Sequence, residues 1–193
     1  MASHEVGQDA EFTDKIKAMD DQTEYVNWYS IHKVLMRYCR GVDRYDIPLL
    51  LSAFHEDATI HYFDGMSGNA WEIFSKFTPD SFPVLCPQRT ISNLIVDFEG
   101  DTAHSEAYAV AYYTMARDNA AMEFIVWGIR YLDRMERRDG TWRIADRRVV
   151  HDWDTIMPVN RNYPEHHEWM KGRLTGRKDS GDPSYRQDST PRS

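Results

Sequence analysis

The sequence predicts an α+β fold in which a cone-shaped, curved antiparallel sheet wraps N-terminal helices. Three observations carry this expectation. Apolar residues recur at helical spacing only before Thr78, a single strand and helix interrupt that region, and from Arg89 onward long strand-like runs alternate with short polar turns.

Taken in order, residues 1–22 are polar and aperiodic, with Asp20-Asp21-Gln22-Thr23 supplying capping side chains for the first helix. Ile31, Leu35, Tyr38 and Val42 then repeat at spacings of four, three and four, which puts them on one helix face. Gly41 loosens the end of that helix. Asp46 precedes Ile47-Pro48 and a leucine run to Phe54, which reads as a second, shorter helix, because proline is tolerated in a first turn whose N–H groups lack intrahelical partners. His55-Glu56-Asp57 reads as a polar turn. Ala58 to Phe63 reads as a strand with Ile60 and Tyr62 on one face and Thr59 and His61 on the other, ended by Gly65 and Gly68. A third helix is expected from Asn69 to Phe77, followed by a proline-containing loop, 78–87, placed to act as a lid. Turns at Glu99-Gly100-Asp101, Arg117-Asp118-Asn119 and Arg138-Asp139-Gly140 divide the remainder into strands over 89–98, 102–116, 121–136 and 141–153. The domain is expected to span 23–157. Residues 158–193 carry too little apolar surface to offset the entropy of ordering them and are expected to be a mobile tail, with Tyr163 and Trp169 available to anchor its first part.

The totals narrow the function. The chain has 193 residues and a net charge of −8, with a pI near 5.4; it is long enough for one sizeable core, and its acidity argues against nucleic acid or an anionic membrane as partner. Two cysteines, Cys39 and Cys86, give neither a disulfide framework nor a zinc cluster, and a reducing, cytoplasmic setting is expected. MASHEVGQDAEF lacks the basic-then-apolar order of a secretory leader and no run of eighteen apolar residues occurs, so neither a leader nor a membrane span is expected. His166-His167-Glu168 lacks the spacing that puts two ligands on one helix face, so no metal is expected, and without GxGxxG, P-loop or GxSxG no cofactor is expected. Six Trp and eleven Tyr exceed what a core of this size needs and are available to line a small-molecule pocket.

Read alone, Asp43 at the junction of two helices is a solvated cap. Its surroundings change that reading. Tyr38-x4-Asp43-x-x-Asp46, Phe54-His-Glu-Asp57-Ala, Ser92-Asn93 with Gly100-Asp101-Thr102-Ala103, and Gly140-Thr-Trp142-Arg-Ile144-Ala-Asp-Arg-Arg148-Val-Val-His-Asp-Trp153 together resemble the nuclear-transport-factor-2-like superfamily. The branch is the SnoaL-like polyketide cyclase one, which includes scytalone dehydratase, bile-acid 7α-dehydratase and hexachlorocyclohexane dehydrochlorinase. The resemblance covers about residues 23 to 155 and implies a cystatin-like α+β barrel. It also implies a site: Tyr38 and Asp43 match the tyrosine and aspartate at the end of the family's first helix, and Tyr62 matches the tyrosine of its first strand. The family's histidine is replaced by Arg89, a poor proton shuttle but a fixed cation able to hold an oxyanion. A further pocket histidine falls near Tyr113. Arg148 matches a basic pocket residue; without a bulge it shares a face with Trp142, Ile144 and Val150 while Arg147 points away, and a bulge exchanges the two.

Asp43 is therefore the expected base, with Tyr38, Tyr62, Arg89 and Arg148 as its catalytic partners and Tyr113, Trp127 and Asn93 as substrate contacts. The expected activity is a cofactor-independent lyase acting on a bulky hydroxylated aromatic or polycyclic molecule, eliminating water or formaldehyde, for example from a lignin-derived diarylpropane. The same cone also hosts ketosteroid-isomerase-like and cyclase-like enzymes and non-catalytic subunits such as the β subunit of ring-hydroxylating dioxygenases. A homodimer or homotrimer is expected, since an open cone leaves one sheet face to be covered.

Overall fold

In the computed structural model, residues 19–63, 66–82, 84–116, 122–159, 168 and 171–185 are described. Residues 1–18, the Arg117-Asp118-Asn119 turn, Tyr163, His166, His167 and Trp169 lie outside them.

Helix α1, Asp21–Arg44, starts where the capping pattern places it: the Asp20 carboxylate accepts from the Thr23 backbone N–H at 3.0 Å. Ile31, Val34, Leu35 and Tyr38 form its buried face. The helix does not loosen at Gly41. It continues to Arg44 and ends at Tyr45, a left-handed residue with φ of 50°. Gly41 serves a different purpose, because helix α2, Ile47–Leu51, packs its backbone directly on it. The Asp46 carboxylate caps α2 through the Leu49 N–H at 3.1 Å.

Strand β1, Phe54–His61, absorbs the expected His55-Glu56-Asp57 turn. His55 is buried with its ring bonded to the Glu136 carbonyl at 2.9 Å, a tertiary partner that local polarity does not announce. A short strand β2, Ser67–Asn69, and helix α3, Ala70–Phe74, follow. Four long strands complete the sheet: β3, Val84–Glu99; β4, Thr102–Ala116; β5, Met122–Arg138; and β6, Thr141–Pro158. The last four residues of the expected lid loop, 84–87, are thus the start of β3. The sheet order is β2-β1-β6-β5-β4-β3. All neighbours are antiparallel except β1 and β6, which run parallel, so the sheet is mixed rather than purely antiparallel.

Small residues make the cone deep. Ala103, Ser105, Ala107, Ala109 and Ala111 of β4 face inward and are buried, leaving room for large groups from the opposite wall. Two bulges set the direction of the site residues. On β3 the register shifts between Ile91 and Leu94, and on β6 it shifts so that Ala145 has no opposite residue between the Arg134–Asp146 and Met135–Ile144 pairs. No helix among the described residues is long and apolar enough to cross a membrane.

Candidate functional site

Near the rim of the cone, Asp43 projects from the last turn of α1 and is 7% exposed. Its Oδ2 accepts from the Arg89 backbone N–H at 2.9 Å and its Oδ1 from the Arg89 guanidinium. Burial pushes the Asp43 carboxyl above the usual carboxylate range, and the Arg89 charge and hydrogen bonds oppose that shift without cancelling it. Arg89 in turn donates from Nη2 to the Tyr113 hydroxyl at 2.9 Å. Burial alone would favour losing its proton, but Tyr113, Tyr131 and Asp43 outweigh that, so Arg89 is a fixed cation. Trp127, 37% exposed, stands at the rim with its ring edge-on to Tyr113 at 5.1 Å.

Deeper in the cone, the Tyr38 and Tyr62 hydroxyls meet at 2.5 Å. Arg147 is fully buried, forked onto Asp133 through Nε–Oδ1 at 2.7 Å and Nη2–Oδ2 at 2.6 Å. Its guanidinium lies 4.0 Å from the Tyr38 ring centroid and 4.2 Å from that of Tyr131. Burial raises Asp133, opposed by Arg147. Burial also disfavours the Arg147 cation, but the Asp133 carboxylate and the phenols of Tyr62 and Tyr38 push its pKa up, and the fork geometry is that of an ion pair. Among the described residues, one guanidinium nitrogen of Arg147, Nη1, and the Ser105 hydroxyl find no hydrogen-bond partner. Burial first, then the neighbouring Tyr38, raises the Tyr62 phenol well above its ordinary value, so it is a protonated donor. Cys39, buried beside this cluster, has its thiol pushed up to about 11 by burial, which makes it inert as a nucleophile.

The structure therefore brings Asp43, Tyr38, Tyr62, Arg89, Tyr113 and Trp127 to the inner side of the cone. Two expected residues are elsewhere. Arg148 has a side chain 71% exposed and pairs with Asp146 at 3.7 Å, because the Ala145 bulge turns Arg147 inward in its place. Asn93 is exposed, because the β3 bulge makes Leu94 the next inward residue after Ile91. Arg147, the residue a bulge was expected to exchange with Arg148, completes the inner polar cluster together with Asp133 and Tyr131, which were not singled out. The signal for Asp133 and Tyr131 was their alternation with Ile129 and Met135 along β5.

Among the described residues, no group of three His, Cys, Asp or Glu side chains converges as a metal site. Grooves of about 310 and 590 Å³ lie on the outer side of the sheet, one against Tyr112 and Phe124 and the other against Tyr108 and Trp153.

Residues 28–148 match the SnoaL-like domain family. The chain belongs to that family. Solved structures agree on the fold of this SnoaL-like protein. A hexachlorocyclohexane dehydrochlorinase from Novosphingobium barchaimii shares 16% identity with a TM-score of 0.63, covering 75% of this chain and 97% of its own. A scytalone dehydratase candidate from Novosphingobium aromaticivorans shares 18% with a TM-score of 0.61, covering 72% and 93%. A protein of unknown function from Mycobacterium tuberculosis shares 22% with a TM-score of 0.58, covering 69% and 76%. A search of curated proteins finds no match. At these identities the likeness establishes the SnoaL-like fold.

Proposed function

We propose that this SnoaL-like protein is a cofactor-independent lyase acting on a bulky hydroxylated aromatic or polycyclic molecule. The observation that carries the reading is Asp43: a buried carboxylate, its proton affinity raised by desolvation, oriented through both oxygens by Arg89. In this reading Asp43 takes a proton from a substrate carbon or hydroxyl, the electron pair moves to form a double bond, and a hydroxyl leaves. The Tyr38–Tyr62 pair protonates the departing oxygen, so that water is released. When the proton comes from a primary alcohol, the adjacent carbon–carbon bond breaks and formaldehyde leaves together with water. Arg89 and Nη1 of Arg147, without a partner among the described residues, hold negative charge that develops on substrate oxygen. Arg147 takes the role expected of Arg148. Tyr113 and Trp127 supply aromatic surface for the ring system. A dehydrochlorinase and a dehydratase candidate among proteins of this fold support elimination as the reaction class.

One observation favours a second reading, a non-catalytic ligand-binding cone. Both oxygens of Asp43 are already engaged by Arg89, and the β subunit of an aromatic-ring-hydroxylating dioxygenase candidate shares the fold at a TM-score of 0.53. Incubation with aryl-substituted alcohols and diarylpropane-1,3-diols, followed by mass spectrometry and formaldehyde assay, separates these readings. A product lighter by water, or by water and formaldehyde together, supports the lyase. An unchanged mass with a shifted double bond means an isomerase, and saturable binding without turnover means a binder. The exposed Tyr108, Trp153 and Met157 support self-association through the outer sheet face.

A further inference from the structure

Asp43, Tyr38 and Tyr113 are each under a tenth exposed, so the site is largely closed from solvent as it stands. The stretch 171–185 crosses the outside of the α1–α2 joint, next to Asp43. Its contacts converge there. Asp182 pairs with Arg44 at 3.3 Å, the Tyr185 hydroxyl donates to Asp46 Oδ2 at 2.8 Å, and Arg40 lies 4.7 Å over the Tyr185 ring and donates to Ser184 Oγ at 3.3 Å. Lys178 ties two parts of the rim together: its ammonium donates to the Pro79 carbonyl and sits 5.5 Å over the Tyr45 ring. Asp182 organises the stretch from within, accepting from the Arg177 N–H at 2.8 Å and the Ser184 N–H at 3.0 Å while being only 3% exposed.

Tyr45 connects this fastening to the site. It is the left-handed residue that ends α1, a backbone conformation disfavoured for tyrosine and held by its surroundings. It lies two residues beyond Asp43, and the Lys178 ammonium stands 5.5 Å over its ring.

We propose that residues 177–185 form a strap that holds the α1–α2 joint and Tyr45 shut over the Asp43–Arg89 pair, and that release of the strap opens the cone to substrate. The proposal rests on the Asp43–Arg89 pair being the working site. A reversible gate suits these contacts, which are ion pairs, hydrogen bonds and ring stacking with little apolar burial; such segments lie at the low-stability end of a fold. Leu174, the aliphatic side chain just ahead of the strap, is 86% exposed.

Residue-resolved amide hydrogen exchange on the full chain tests this without any substrate, and so independently of whether the cone proves catalytic. The Arg89 N–H bonded to Asp43 reports on the site, the Ser184 N–H on the strap, and the Ile144 N–H, bonded to the Ala53 carbonyl at 2.9 Å, on the core. In Tyr185→Ala, and more so in Lys178→Ala/Tyr185→Ala, which leave the Asp182 acceptor of the Ser184 N–H in place, exchange at Arg89 is expected to accelerate at least about tenfold together with Ser184, while Ile144 stays unchanged. Faster exchange at Ser184 with Arg89 unchanged overturns the gate. Unchanged Ser184 in the double variant overturns the fastening. Acceleration at all three sites means global loosening and also overturns it.

Discussion

Arg89 grips Asp43 twice, from its backbone N–H to Oδ2 and from its guanidinium to Oδ1. The backbone bond fixes the carboxylate against β3 whatever the side chain does, and the guanidinium bond supplies charge. In the lyase reading this places a base beside a permanent cation instead of an imidazole, so proton relay falls to Asp43 and the phenols.

Asp43→Asn keeps an oxygen that can accept from the Arg89 backbone but cannot take up a proton at neutral pH. Turnover, measured as kcat/KM on whichever substrate the product-mass screen identifies, is expected to fall by about a thousandfold or more. Thermal unfolding should remain cooperative but at a lower temperature, because the amide oxygen still accepts from the Arg89 backbone N–H while the Arg89 cation loses its counter-charge. Normal turnover by this variant sinks the assignment of Asp43 as base.

Arg89→Gln separates charge from geometry and has a defined sign in pH. Burial raises the Asp43 carboxyl and Arg89 lowers it, so removing the cation moves Asp43 further up. A base must be ionised, so the acid limb of the kcat/KM profile, already above the ordinary carboxylate range, is expected to shift to higher pH. Stability follows the same sign. A carboxyl raised in the folded state holds its proton more tightly there than when unfolded, so its contribution is present below the unfolded value and lost as pH rises through the folded one. Urea unfolding of Arg89→Gln should therefore show a loss of stability on raising pH from the acid side that extends to higher pH than in the parent. An acid limb that stays in place rules out Asp43 as the titrating group.

The helix faces and the α1 cap were legible because they depend on local period and spacing, whereas Tyr38, Asp43, Tyr62 and Arg89 were picked out as site residues only by the family resemblance. Ile31, Leu35 and Tyr38 are buried as their spacing requires, and Asp20 caps as its position requires. Asn93 and Arg148 were misplaced for one shared reason: a bulge inserts a residue and reverses the facing of those that follow, and nothing in the composition around Ile91 or Ala145 marks it. The parallel pairing of β1 with β6 was hidden because it joins segments more than eighty residues apart, while turn residues report only on antiparallel neighbours. The packing of 176–185 was hidden too, since its contacts are polar and nonlocal and its composition resembles that of a free tail.

Gly41 tests how the α1–α2 joint places Asp43. A Cβ there would lie 2.6 Å from both the Cα and the N of Leu50, backbone atoms that cannot rotate away. Gly41→Ala is expected to force the helices apart, destabilising the fold by about 1–3 kcal/mol despite the better helix propensity of alanine. Because Asp43 is two residues on, activity should fall more than the folded fraction does. Denaturant midpoints and kcat/KM measured on the same preparation check both; a variant as stable as the parent contradicts the close approach.

The Arg147–Asp133 pair allows stability and function to be separated. Both side chains are fully buried and forked together, so removing one leaves an uncompensated charge in the cone. Arg147→Met alone is expected to cost about 3–5 kcal/mol in urea unfolding, and Asp133→Leu alone a similar amount. The double variant Arg147→Met/Asp133→Leu replaces the pair with apolar groups and should recover most of that loss, since desolvating the two ions offsets much of their attraction. Recovery of stability is not expected to bring back turnover. Nη1 of Arg147, without a partner among the described residues, would be gone, and with it the donor assigned to the substrate oxygen. A double variant that is stable but inactive, with kcat reduced more than KM is raised, separates a role in the transition state from a purely structural one. Full activity in the stable double variant would remove Arg147 from the mechanism and leave Arg89 as the cation that holds the developing charge.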